Sequence, residues 1–291
     1  MQVMKFALFS VIALWASCSS RSQNHSGLFS KGIKKGKVSH RLEEASGLAA
    51  SMANPGYLWT LNDSGNPAEV FLINDKAEVV LVCELNDVAN RDWEDIAVGP
   101  GPIQGAHYLY VGEIGDNNAK YEYKYLYRFR EPVLDKKKEI VINDFDTLII
   151  ELPDGKRDME SIALDHETGN FYFISKREEQ VNIYKALFPL MSADTIVPEI
   201  IGTLPYHNVV AADFSIDGSE LLVKTYEEVL YWRAGNGQQI DQVLLSPPIR
   251  LTYRQEPQGE AIAWALDKSG FYTLGESTQH EKAHLYFYKR N

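Results

Sequence analysis

One segment recurs five times along this chain, and the recurrence fixes most of what the chain can fold into. Aligned on Glu94, "WEDIAVG" from Trp93 returns as "MESIALD" from Met159 and as "GEAIAWA" from Gly259. Weaker copies are "ASGLAAS" from Ala45 and "AADFSID" from Ala211. The aligned positions are Ser46, Glu94, Glu160, Ala212 and Glu260, at spacings of 48, 66, 52 and 48 residues. After each copy a turn leads to an aromatic or aliphatic run ("YLWTLND", "YLYVGEIGD", "FYFISKR", "LLVKTYE", "FYTLGES"), and a polar loop leads to a third such run. A fourth follows in four copies: "EVVLVCEL", "DTLIIEL", "EIIGTLP" and "DQVLLS". Four short strands per unit, repeated about every 50 residues, describe the blades of an all-β, five-bladed propeller.

The fifth copy ends at Asn291 without a fourth strand, which would leave a sheet edge unpaired. The segment 31–42, "KGIKKGKVSHRL", stands where a fourth strand should, so it is expected to close the ring by completing the last blade. Five blades then account for residues 31–291 as one domain, with a six-bladed ring as the alternative. The spacing of 66 is too short for a further blade and reads as an extended loop and outer hairpin around "VLDKKKEIVINDFDTL". "ALFPLMSADTIVPE" has room for a short helical turn at most.

A propeller's innermost strands line a tunnel. Because strands alternate in direction, the start of each first strand and the end of each second strand meet at one tunnel mouth. Glu94, Glu160 and Glu260 should therefore ring one axial point. Two carboxylates about 5 Å apart repel by roughly 3 kcal/mol at an effective dielectric near 20, so three of them demand shifted pKa values or a cation. Calcium accepts 6 to 8 oxygens in irregular geometry, while magnesium prefers a tighter octahedron. Zinc would want His or Cys. Three glutamates, the Ser46 hydroxyl, the Ala212 carbonyl and water make a calcium set. The competing reading is a metal-free network of the same glutamates with backbone amides and with Arg91 and Arg157, which recur in "RDWE" and "RDME".

The same mouth gathers Asn62, Asp63, Asp116, Asn117, Lys176, Arg177, Lys224, Tyr226 and Glu276 from the loops after the second strands. Lys176, Arg177 and Lys224 could clamp a phosphate beside a cation, with Asp63, Asp116 or Glu276 as general base and Asn62, Asn117 and Tyr226 as further contacts.

The N-terminus is read as a targeting segment. "MQVMKFALFSVIALWASCSS" has one Lys, an apolar run from Phe6 to Trp15, then small residues, too short to span a bilayer as a helix. Ala16-Ser17-Cys18 resembles a bacterial lipoprotein cleavage box. Residues 1–17 then form the signal peptide, Cys18 carries the lipid, and 18–30 form a flexible tether. Ser19 after the Cys points to the outer membrane. Cys83, alone in "EVVLVCEL", reads as a buried inert thiol. The net charge of −11 argues against nucleic acid, whose phosphates need basic surface. The bound partner is then a small phosphorylated molecule or an envelope ligand, and the chain is expected to be monomeric.

The set "EASGL", "LWTLNDSGNP", "DWEDIA", "YVGEIGDN" and "MESIAL" resembles a group of secreted bacterial propellers related to phytase-like and SdiA-regulated domains. The tunnel pattern is similar, more distantly, to the five-bladed calcium-activated nucleotidases (apyrases). That resemblance implies an axial calcium held by Ser46, Glu94, Glu160, the Ala212 carbonyl and Glu260. Two functions follow as expectations: a cell-envelope lipoprotein that presents a ligand-binding mouth, or a calcium-dependent phosphohydrolase.

Overall fold

The computed structural model describes residues 27–291 and arranges them as five β-sheets around one axis, a five-bladed β-propeller. From the axis outward, blade 1 holds Ala45–Ala50, Leu58–Asn62, Glu69–Ile73 and Val79–Leu85. Blade 2 holds Trp93–Pro100, His107–Glu113, Tyr123–Arg130 and Asp146–Glu151. Blade 3 holds Met159–Leu164, Phe171–Ser175, Val181–Ala186 and Glu199–Leu204. Blade 4 holds Val209–Phe214, Glu220–Thr225, Val229–Arg233 and Ile249–Leu251. Blade 5 takes Ala261–Trp264, Gly270–Leu274 and His284–Lys289 from the end of the chain, and its outermost strand, Ile33–Lys37, from the beginning. The ring closes as the missing fourth strand required.

Apolar side chains sit between blades because strand faces alternate. Five clusters result, one per blade junction. Trp59, Trp93 and Phe129 fill the first, and Tyr110, Phe171 and Phe173 the second. Tyr172, Phe214 and Trp232 fill the third, Tyr231, Trp264 and Phe271 the fourth, and Leu58, Phe71 and Leu285 the fifth. Phe29 belongs to the fourth of these: it is buried, and its ring lies 5.1 Å from that of Phe271. The packed chain thus begins before the position where the tether was expected to end. Cys83 is a buried free thiol in the first cluster, and burial pushes its pKa up to about 12. Cys18 and the segment 1–17 lie outside the described residues. Among the described residues no helix is long and apolar enough to cross a membrane.

Two local expectations are corrected. The long insertion forms no outer hairpin: Glu139–Ile142 crosses to blade 1 and pairs in parallel with Val79–Leu85. The Pro-containing stretch stays within its expected limit, with no helix, and Thr195–Ile196 adds a parallel strand to blade 2. Each insertion covers an edge that would otherwise be open. "DQVLLS" is not the fourth strand of blade 4. It is a helix, Ile240–Leu244, and the strand comes later, at Ile249–Leu251. Helical spacing decides this: Ile240 and Leu244, four apart, are buried on one face, Gln239 and Gln242 form a capping box, and Asp241 stands in the first turn.

Candidate cation site at the tunnel mouth

The inner strands bring the acids together through a shared irregularity. In blades 1 to 4 the register between first and second strands slips by one residue, at Gly47, Glu94, Glu160 and Val210. In blade 5, Glu260 directly precedes the first paired residue, Ala261. A bulge frees one residue from the ladder and can re-aim its side chain. In blades 2 and 3 that residue is a glutamate, and in blade 5 Glu260 stands at the matching end of the strand.

The register also moves two of the residues expected here. Ser46 lies one position before the bulge of its blade, and its hydroxyl donates to the Glu94 carbonyl at 2.5 Å. Ala212 lies two positions beyond Val210, in the apolar layer between blades 3 and 4. Sequence alignment missed these offsets because it matched similar residues and took no account of where each strand bulges.

Around the mouth stand six carboxyl groups. One oxygen each from Asp63, Asp92 and Glu94 lies within 4.8 Å of the other two. Gly115 makes this approach feasible: a Cβ there would sit 2.1 Å from Glu94 Oε1 and 2.7 Å from Asp92 Oδ2. Glu94 faces Glu160, and Glu276 faces Glu260, carboxyl to carboxyl. Like charges held this close away from water are costly. The Tyr226 hydroxyl donates to Glu260 Oε1 at 2.5 Å, whereas Glu260 Oε2, buried, has no donor among the described residues. Asn62 Oδ1 is likewise buried without a partner, although the Asn62 amide nitrogen donates to Arg41 O at 2.7 Å.

The electrostatics follow from crowding. Burial, then Glu160 and Asp63, hold Glu94 well above the usual carboxylate range. Burial lifts Asp63 to about 6, with Glu260 and Asp92 adding to it, and lifts Glu276 to about 9, with Glu260 adding to it. Burial and Asp158 push Glu160 up to about 8 against the pull of Lys176. Burial opposes charge on Lys176, but Glu160 outweighs it, and Lys176 stays protonated.

The basic residues are placed differently from the sequence expectation. Among the described residues neither Arg91 nor Arg157 pairs with Glu94 or Glu160. Arg91 lies 3.5 Å from Glu113 and stacks 3.9 Å over Tyr121, while Arg157 joins Asp154 and Glu178. Lys176 supplies the ring's counter-charge, 2.6 Å from Glu160. Lys224 is fully buried, its ammonium held by the carbonyls of Gly259 and Thr225. Arg177, half exposed, pairs with Asp158 at 2.6 Å and also bonds Asn117. Asp116 accepts from the Lys120 and Tyr121 amides, both at 2.7 Å, and from Lys124 at 3.1 Å, and these bonds outweigh burial to lower its pKa. Asp92 and Asp158 escaped the sequence-derived site although "RDWE" and "RDME" carry them two places before each glutamate.

One storey down the tunnel, two further acids play another part. Asp95 accepts from the Ile96 amide and, across to blade 3, from the Ile162 amide, both at 2.8 Å. Asp213 accepts from the Trp264 amide of blade 5 at 2.7 Å.

No protein-family model matches the sequence, and no curated protein matches it. Among solved structures, one titled "Crystal structure of RRP9 WD40 repeats" is similar over 84% of this chain and 79% of its own, at 9% identity and a TM-score of 0.43. That likeness carries no argument about function.

Proposed function

We propose that this chain is a cell-envelope binding module whose mouth takes a divalent cation, calcium by its chemistry, and presents it to a ligand. The observation that carries this reading is the imbalance at the mouth: six carboxyl groups, one ammonium among them, and a buried Glu260 oxygen with no donor. Buried unpaired acids are costly, and a hard cation with oxygen ligands relieves the crowding. Asp63, Asp92, Glu94 and Glu260 are the side chains that would hold it, with the Asn62 amide oxygen available beside them. The oxygen-only donor set suits calcium or magnesium and not zinc, and its irregular spread suits calcium better. The lipid anchor at Cys18 and an outer-membrane location belong to the same reading and rest on the sequence alone.

A binding module is favoured over a phosphohydrolase because the residues expected to clamp phosphate are engaged elsewhere. Lys224 is held by backbone carbonyls, Lys176 by Glu160, and Arg177 by Asp158. One observation supports the second reading: Asp63, with a pKa of about 6, could act as a base near neutrality. Release of phosphate from nucleotides or inositol phosphates that requires calcium and disappears in Asp63→Asn would establish the hydrolase. The cation itself is tested by thermal melting. At a hundredfold excess over the dissociation constant, binding adds about 2.7 kcal/mol, a rise of roughly 5 to 10 °C for a domain of this size. Chelator should remove the rise, and Glu94→Gln should abolish it.

A further inference from the structure

We propose that Lys176 is a resident counter-cation that calcium must displace, and that it sets how tightly the mouth holds the metal. This deepens the cation reading and rests on it. The backbone of Lys176 is fixed on both sides: its amide donates to Asp158 O at 3.1 Å, and its carbonyl accepts from the Asn208 amide at 2.8 Å. Only the side chain is left to move, and it reaches the axis. There its ammonium lies 2.6 Å from Glu160 Oε1, with both side chains almost wholly buried. On its other side the ammonium lies 5.2 Å from the Tyr226 ring centroid, and the Tyr226 hydroxyl is bonded to Glu260. Lys176 therefore stands between the two carboxyl pairs and neutralises part of the ring by itself.

A compact ammonium and a divalent ion repel one another at this range. Calcium entering beside Glu94 either works against that charge or drives the flexible lysine stem outward. Lys224, one blade on, is the contrast. Its ammonium is held by the Gly259 and Thr225 carbonyls, so its displacement would cost two bonds to backbone acceptors. Lys176 is bonded to a carboxylate that a metal can take over. The ring is thereby tuned to bind weakly, and it fills only where calcium is abundant.

Titrating calcium chloride into the purified full-length protein by calorimetry tests this, with melting curves to verify folding. Lys176→Gln should bind at least tenfold more tightly than wild type, and Lys176→Arg, which keeps the charge, should stay within about threefold of it. Lys176→Met, which keeps the apolar stem, repeats the test should the glutamine variant fail to fold. Binding by the neutral variants alone also supports the proposal. Wild-type binding with unchanged or weaker affinity in the folded neutral variants overturns it and leaves the cation reading standing. Absence of binding in every protein overturns both.

Discussion

The inner strand of blade 2 carries two buried acids side by side, and their fates diverge. Asp95 accepts two backbone amides, one of them from the next blade. Glu94, one residue earlier and on the bulge, faces the Glu160 carboxyl and lies close to Asp63 and Asp92. The first arrangement stitches blade 2 to blade 3, as Asp213 stitches blade 4 to blade 5. The second leaves like charges together in a dry place, where burial, then Glu160 and Asp63, hold Glu94 well above the usual carboxylate range. Burial alone therefore does not mark a functional acid: what marks it is burial without matching donors. By this criterion the tunnel aspartates are structural, and Glu260, with one buried oxygen that has no donor among the described residues, is not.

The largest expected effect belongs to the stitch. Asp95→Ala orphans two buried amides and should cost about 2 to 4 kcal/mol, read as a lowered melting temperature with or without calcium. A melting temperature that falls only in the presence of calcium would place Asp95 in the cation site and dissolve the distinction. Gly115→Ala comes next. Its new methyl would meet Glu94 Oε1 and Asp92 Oδ2, so it should push the carboxylates apart and remove most of the calcium-dependent rise while lowering metal-free stability by about 1 kcal/mol. Glu94→Gln should do the opposite to the metal-free protein, leaving it as stable or slightly more so, because one of the crowded charges is gone; only the gain from calcium should vanish.

The smallest effect is a slope. Burial and Glu260 raise the pKa of Glu276 to about 9, above its unfolded value near 4.5. The folded state thus favours the protonated form. The stability contributed is complete below about 4.5 and is lost as pH rises through 9. Metal-free Glu276→Gln should accordingly lose less stability than wild type between pH 5 and 9, measured by denaturant titration at each pH. Parallel curves would mean that Glu276 is solvated and stands outside the ring.

The fold was legible because repetition exposes it. Five copies of one strand pattern, and a missing fourth strand matched by a spare N-terminal one, leave little choice of architecture. "DQVLLS" misled because a short apolar run suits helix or strand equally, and the burial of Ile240 and Leu244 on one face decided the matter. The three glutamates were legible for the same reason as the fold. Ser46 and Ala212 entered the set through an alignment blind to bulges, which displace the true equivalents to Gly47 and Val210. Lys176 was visible at the mouth, but its partner was not. A lysine beside a phosphate and a lysine on Glu160 look the same in sequence, and only the packing of blade 3 against the axis separates them.

The account turns on whether the crowded acids bind a cation. Calorimetric titration of calcium into wild type and Glu94→Gln is the most direct measurement. One saturable site in wild type, absent from the folded variant, is the predicted result. Equal binding by both proteins, or none by wild type at millimolar calcium, would contradict it.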